Sequence, residues 1–331
     1  MKRIKRIMLS GMPVVIIGGL LYAGLFVKPK PVGNAVEQPL VERGDAFYGI
    51  ATLPDGALWA AGSNGKILYS TDAGTSWRRQ AAPGQETLQD IAAWDSRRAV
   101  AVGNEGVVLT TDDAGQSWTA AQTPKAAAGN KLMRVQTNQD GSAWAVGSGG
   151  VLMRSLDYGK HWEAPVQGED AAWNGIALQG RRGCVVGEFG RISITADGGD
   201  NWTSVASPVK QSLMSVRFND AGQAVAVGLS GIVLVSDDGG LTWKPAGKAT
   251  DEDLFDVAWD GKRWIAVGDK GAVLIGEVGG QAGGQAGSDA GKWRLTRLAP
   301  DDRGWYTRVR AQNGKYYVAG SRLGAKEANA L

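Results

Sequence analysis

Five copies of one eight-residue pattern constrain this chain more than any other feature. STDAGTSW ends at Trp77, TDDAGQSW at Trp118, SLDYGKHW at Trp162, TADGGDNW at Trp202 and SDDGGLTW at Trp243. Each has Ser or Thr first, Asp third, Gly fifth and Trp last. The tryptophans recur at steps of 41, 44, 40 and 41 residues, a period that signals a repeat architecture. The chain is one repeating object, and its function must be sought on that object's surface.

Each pattern closes a longer unit. Upstream lies a short apolar segment ending in Gly: LWAAG to Gly62, AVAVG to Gly103, AWAVG to Gly147, GCVVG to Gly187 and AVAVG to Gly228. WIAVG to Gly268 and YYVAG to Gly320 are in register but lack a good Asp motif, which makes seven units. Before each lies an alternating segment such as Leu88 to Trp94 or Leu254 to Asp260. Alternation, β-branched content and Gly/Asp/Asn turns predict strands, and no helical period appears. Four short strands in about 40 residues, repeated radially, make one blade of a β-propeller. The predicted fold is all-β: a seven-bladed propeller of four-stranded antiparallel blades.

The phase also predicts how the ring closes. The seventh unit has room for a third strand near Ala325 to Ala330 and none for a fourth. Residues Val32 to Leu40 precede the first inner strand, Phe47 to Thr52, and have no blade of their own. They are expected to supply the missing outer strand, because an unclosed ring would leave an aggregation-prone edge.

The Asp motif reads as structural. It falls in the hairpin between third and fourth strands, where Asp72, Asp113, Asp157, Asp197 and Asp238 can accept backbone N–H bonds and hold the turn. The glycines permit positive φ. Trp77, Trp118, Trp162, Trp202 and Trp243 can pack over the hairpins. These aspartates sit on separate blades, which argues against a shared metal. No residue set implies a cofactor.

These residues resemble the Asp-box, or bacterial neuraminidase, repeats. The seven-unit layout looks most like the photosystem II stability/assembly factor-like propellers, over roughly residues 32–331. That resemblance implies a non-enzymatic scaffold that contacts a membrane protein during assembly. Members of the family also occur without photosynthesis, so the photosynthetic partner does not transfer automatically. The sixth unit departs from the pattern with a Gly/Gln/Ala-rich insert, 279–291, of flexible composition.

The N-terminus bears on location. Lys2, Arg3, Lys5 and Arg6 precede 21 uncharged residues, Ile7 to Val27, enough for a helix of about 31 Å that crosses a membrane. No A-x-A-like cleavage site is evident. Residues 1–30 are therefore expected to be an uncleaved single-pass anchor and linker in the inner membrane, with 31–331 as a propeller in the periplasm or extracytoplasmic space. Residues 1–30 hold six basic groups and no acidic one, leaving 30 basic against 33 acidic elsewhere. The domain is not basic, which argues against nucleic acid as a partner. Cys184 is the only cysteine, so no intramolecular disulfide can form, and it is expected in the core. His161, the only histidine, reads as a neutral substitution in the third motif.

Charge within the domain is patterned. The first turns of several units carry Arg97 and Arg98, Arg181 and Arg182, or Lys262 and Arg263, and should share a face with the Asp motifs. They are candidate partner-binding residues for an acidic partner or lipid head groups. Arg303, Arg308 and Arg310, beside Trp305, form a second candidate cluster with the composition of an interface hot spot. The rival reading is a sialidase-like glycoside hydrolase or glycan-binding propeller. That chemistry needs converging arginines and a Tyr–Glu pair at the axis, and only Tyr48 and Tyr306 could approach it. The sequence favours no enzyme. It favours a membrane-tethered protein that binds an integral membrane complex, with a transporter as one client class.

Overall fold

The structure, a computed structural model, describes residues 16–22, 40–124, 131–165, 170–277, 293–297 and 301–327. The chain divides into two units after Pro39. In the first, residues 16–22 are helical and exposed. Among the described residues no helix is long and apolar enough to cross a membrane. Most of the expected span 7–27, the expected closing strand 32–40 apart from Leu40, and the insert 279–291 lie outside the described residues.

The second unit contains seven antiparallel sheets, each built from strands consecutive in sequence. Five have four strands, as in Phe47–Thr52, Leu58–Gly62, Ile67–Ser70 and Arg78–Arg79 of blade one. In blade three the fourth strand is reduced to a bridge between Arg154 and Glu163. Blade seven shows three strands among the described residues, ending with Gly324–Glu327. The all-β seven-bladed propeller is as the repeat phase predicts.

The sequence AVAVG explains how blades stack. Successive side chains of a strand point to opposite faces. In blade two, Ala99 and Ala101 pack toward blade one, whereas Val100 and Val102 pack toward blade three. Blade five repeats this, with Ala224 and Ala226 toward blade four and Val225 and Val227 toward blade six. Among the described residues the buried apolar side chains fall into seven clusters, one per seam between blades. The seventh joins Tyr317 and Ala319 of blade seven to Phe47 and Ile50 of blade one. Thr307 Oγ1 also donates to Tyr48 O (3.0 Å), and the Tyr48 and Trp305 rings stack at 5.6 Å across the same seam.

All seven inner strands carry a bulge after their first residue, where the ladder to the middle strand slips by one. The slip brings the third residue of each inner strand to an equivalent place in the ring: Gly49, Asp90, Arg134, Gly175, Ser215, Asp256 and Arg308. Bulges re-aim side chains in this way. The two glycines are needed for contact. A Cβ on Gly49 would sit 2.6 Å from Ile91 N and 2.7 Å from Asp90 Cα, and one on Gly175 2.8 Å from Ser215 Cα.

Gly49→Ala therefore presses a methyl group into the backbone of blade two. Overpacking of this kind costs about 1–3 kcal/mol, and urea unfolding of the variant is expected to show a loss in that range. A variant as stable as the parent would show that blades one and two can separate without cost.

Candidate docking face

In the blades whose hairpins are described, the first-to-second and third-to-fourth turns emerge at one end of the ring. Backbone bonds tie them together: Ala114 N donates to Arg97 O (2.9 Å), Tyr158 N to Gly141 O (3.0 Å) and Gly198 N to Arg181 O (2.8 Å). The turn arginines thus share a face with the Asp motifs.

Each Asp motif is a closed hydrogen-bonded staple. In blade two, Thr111 Oγ1 donates to Asp113 Oδ1 (2.8 Å), and Ser117 N to the same oxygen (3.0 Å). Ser117 Oγ donates to Asp113 Oδ2 (2.6 Å), and Gly115 N to Thr111 Oγ1 (2.9 Å). Asp72, Asp157, Asp197 and Asp238 accept the equivalent set from Ser76, His161, Asn201 and Thr242. The seventh position of the motif is therefore a side-chain donor in all five copies. That role passed unnoticed in the sequence, although Ser, Ser, His, Asn and Thr there share only donor capacity. It accounts for His161, whose Nδ1 lies 2.5 Å from Asp157 Oδ2.

The motif glycines and tryptophans bind each staple to the preceding blade. Gly115 has φ +77°, and a Cβ there would meet the Trp59 ring of blade one at 2.6 Å. Trp118 meets the same Trp59 edge-on at 5.5 Å, and Trp202 meets Trp144 at 5.8 Å. Trp162, Trp202 and Trp243 also donate Nε1–H to the carbonyls of Gly159, Gly199 and Gly240. Trp77 packs at the edge of the seam between blades seven and one.

The staples consume acceptors that would otherwise quench nearby cations, and the turn arginines differ in what remains to pair with. Arg98 is neutralised by Asp95 (2.5 Å) and lies over the Tyr158 ring at 3.7 Å. Arg263 bonds Asp260 (3.3 Å) and Tyr316 Oη (2.7 Å). Arg97 is exposed, and among the described residues its side chain donates to the Asp112 carbonyl alone, at 3.3 Å. Arg181 and Arg182, on blade four, are exposed and have no ion pair among the described residues; the Arg182 guanidinium lies over Gly222 and Gly239 of blade five. The neighbouring carboxylates are occupied, Asp200 by Arg154 (2.7 Å) and Asp237 by Lys244 (2.8 Å). Blade four thus presents two adjacent cations without an ion pair, where Arg97 of blade two and Lys262 of blade six present one each among the described residues.

The second expected cluster does not form. A strand rises about 3.3 Å per residue, so residues 303 to 310 run from one end of the ring to the other. Arg303 and Trp305 lie at the end opposite the Asp motifs, where Gly304 O accepts from Gly271 N of blade six's middle turn. Arg308 is fully buried and cannot meet a partner directly. It reaches past Gly49 of blade one to Asp90 of blade two (2.9 Å) and Met133 O of blade three (3.2 Å). Arg310 pairs with Asp256 (3.0 Å), which also accepts from Ser215 Oγ (2.6 Å) and Val309 N (3.0 Å). Arg134 crosses the axis to Phe255 O of blade six (2.7 Å). These groups plug the axis with a polar network. The signal was present in the sequence: charged residues inside otherwise apolar inner strands.

Cys184 is fully buried and burial pushes its thiol pKa up, so it is an inert core residue. Among the described residues no group of three or more His, Cys, Asp or Glu side chains could hold a metal ion. An open groove of about 400 Å³ on the motif face is lined by Arg98, Thr110, Asp112, Ser117, Tyr158 and Lys160.

Comparison with known proteins agrees with this architecture. Residues 75–171 match the family model described as photosynthesis system II assembly factor YCF48, and residues 234–245 match the BNR/Asp-box repeat. A structure of YCF48 bound to D1 peptide superposes with a TM-score of 0.67 at 17% identity, covering 88% of this chain and 96% of that one. YCF48 from Cyanidioschyzon merolae gives 0.68 at 15% identity, covering 87% and 98%. The WD40 β-propeller domain of Doa1 gives 0.65 at 12%, covering 87% and 94%. No curated protein matches the chain. The resemblance to the assembly-factor propellers with Asp-box repeats, read from the motifs, is thus borne out.

The staples predict an acid-sensitive fold. Hydrogen bonds from Ser76 first, and then Ser70, hold the Asp72 carboxyl down at about 2; those from Ser117, and then Thr111, do the same for Asp113. A carboxylate depressed below its unfolded value near 4 stabilises the fold above that value and loses the contribution as pH falls through about 2. Thermal unfolding between pH 6 and pH 2 should show Tm dropping most steeply below pH 4. The Asp72→Asn/Asp113→Asn double variant should start lower and fall less; parallel curves would exclude these staples as the cause.

Proposed function

We propose that this chain is a non-enzymatic docking protein that helps assemble, stabilise or regulate an integral membrane protein complex. The observation that carries the reading is the pair Arg181 and Arg182: adjacent, exposed cations with no ion pair among the described residues, on the face where Asp200 and Asp237 are already engaged by Arg154 and Lys244. Such a pair fits an acidic segment on a partner, since desolvated arginine anchors supply much of the energy of an interface and opposite charge steers the encounter. The family match supports an assembly or scaffold role. One solved relative is YCF48 bound to D1 peptide, which makes a segment of a membrane complex a reasonable class of client. A transporter is one candidate.

The N-terminus supports a tether. The uncharged stretch Ile7 to Val27 behind four basic residues suits a single-pass anchor in the inner membrane, with the propeller on the extracytoplasmic side. A tether raises the local concentration of a protein whose client is itself in the membrane. Residues 32–40 remain the natural candidate for the fourth strand of blade seven. The lead-in that follows them is fixed to blade one, where Lys66, almost fully buried, binds Asp45 (2.5 Å) and Glu42 (3.1 Å).

Two observations weigh against the sialidase-like alternative. The axis, where such chemistry would sit, is occupied by the buried Arg308–Asp90 pair. Of the two tyrosines that could approach it, Tyr306 is buried against Asp302 with its hydroxyl pKa pushed up to about 12, and Tyr48 stacks on Trp305.

Crosslinking in native membranes followed by mass spectrometry tests the reading. The wild-type propeller should recover an integral membrane protein. Arg181→Glu/Arg182→Glu should lower that recovery about tenfold or more, because like charges placed together at an interface cost several kcal/mol. A propeller crosslinked to no membrane protein would sink the proposal, and unchanged recovery by the variant would move the contact away from blade four.

A further inference from the structure

The axial network does not balance its charge. The seven inner strands carry six charged residues: Arg134, Arg217, Arg308 and Arg310 against Asp90 and Asp256. Asp90 is taken by Arg308 and by Val135 N (3.0 Å), and Asp256 by Arg310, Ser215 and Val309 N. Two guanidiniums are left with no carboxylate in contact among the described residues, and feel Asp256 and Asp90 only through space. Among the described residues the Arg134 guanidinium makes one hydrogen bond, to a backbone carbonyl, and its Nε is sealed from solvent with no acceptor. Arg217 is partly buried and has no hydrogen bond or ion pair among the described residues.

Uncompensated buried charge is costly, and a buried donor without an acceptor adds to that cost. The arrangement is not imposed by the fold, since four of the six positions in other blades that correspond to Arg217 are alanines, Ala51, Ala92, Ala177 and Ala258, the other two being Gln136 and Arg310. Burial, and then repulsion from Arg310, lowers the Arg217 pKa to about 10, so it remains cationic at neutral pH. Arg217 sits at the fifth position of its inner strand, nearer the Asp-motif end than the buried pair, so an ion arriving from that face would meet it before the plug.

We propose that this end of the axis is a binding site for a small free dianion, a tetrahedral oxyanion such as hydrogen phosphate or sulfate, held between Arg217 and the deeper Arg134, with Arg310 at the same strand position as Arg217. Two unpaired cations call for two negative charges, and guanidinium groups match the paired oxygens of such an ion. A single carboxylate would leave one charge unbalanced. The site concerns the inner strands alone and does not depend on the docking role of blade four.

The test uses the full-length protein in detergent, with sodium chloride exchanged for sodium phosphate or sulfate at constant ionic strength. Isothermal titration and thermal unfolding should both show one saturable site, and sodium acetate should produce neither response. Arg217→Gln should weaken phosphate about tenfold or more, as expected for losing a hydrogen bond to a charged group. It should also raise Tm in chloride alone by removing an unpaired charge. Arg134→Gln should weaken phosphate as well, and Arg181→Gln/Arg182→Gln should bind it like wild type. Absence of saturable binding in the wild type, full binding by Arg217→Gln, or equal binding of acetate would each overturn the site.

Discussion

A blade of this propeller has two apolar faces, and every seam depends on that fact. The middle strand of blade two points Ala99 and Ala101 one way and Val100 and Val102 the other, all with no exposed surface. No blade can bury both sets against itself, so none is a folding unit. Burial is satisfied only when the seventh blade meets the first, and Tyr317 and Ala319 against Phe47 and Ile50 complete it. In blades two and five small residues face one neighbour and β-branched residues the other, while blades one, three, six and seven seat a Trp or Tyr at one of these positions. The short period of the sequence is the trace of that single packing problem solved seven times.

Closing the ring creates a second problem at its centre. Seven inner strands converge where there is too little volume for seven large side chains and too much for none. The bulges place one residue from each strand at the same level, and the chain fills that level unevenly. Gly49 and Gly175 give way, Arg308 extends across the first gap to Asp90, and Arg134 spans the axis to Phe255 O. A buried ion pair of this sort is weak evidence for net stability, because desolvation offsets most of the attraction. Its effect here is geometric: side chains from blades two, three, six and seven are tied to one another across the axis, not only to their sequence neighbours.

The sequence made the ring legible because its constraints are local and repeated. Motif phase, apolar alternation and turn glycines each recur within about 40 residues, so seven weak signals reinforce one another. Phe47–Thr52 is a strand where alternation placed it. The site was less legible because its contacts are long-range. Nothing in the local sequence says that Arg308 crosses to Asp90 while Arg182 stays open to solvent; that difference arises from ring closure. Neighbours in sequence were read as neighbours on a surface, which failed for residues 303 to 310 because an extended strand carries them from one face to the other. The seventh motif position was missed for another reason: Ser, His, Asn and Thr look unrelated until the carboxylate they serve is seen.

The Asp motifs and the arginines are parts of one electrostatic arrangement. A turn rich in aspartate would ordinarily neutralise arginines placed beside it, and at Asp95 and Arg98 it does. In the staples, by contrast, each carboxylate is saturated by a hydroxyl, amide or imidazole from its own hairpin and by backbone N–H groups. Asp72 and Asp113 are held ionised by those bonds, and both oxygens of each already accept hydrogen bonds from their own hairpin. The motif face can therefore carry a formal excess of carboxylates and still present unpaired guanidinium groups on blade four. Sequence net charge says little about such a surface. What a partner meets is set by which charges already have hydrogen-bonding neighbours, and here the fold commits its acids to the turns and leaves some of its arginines uncommitted.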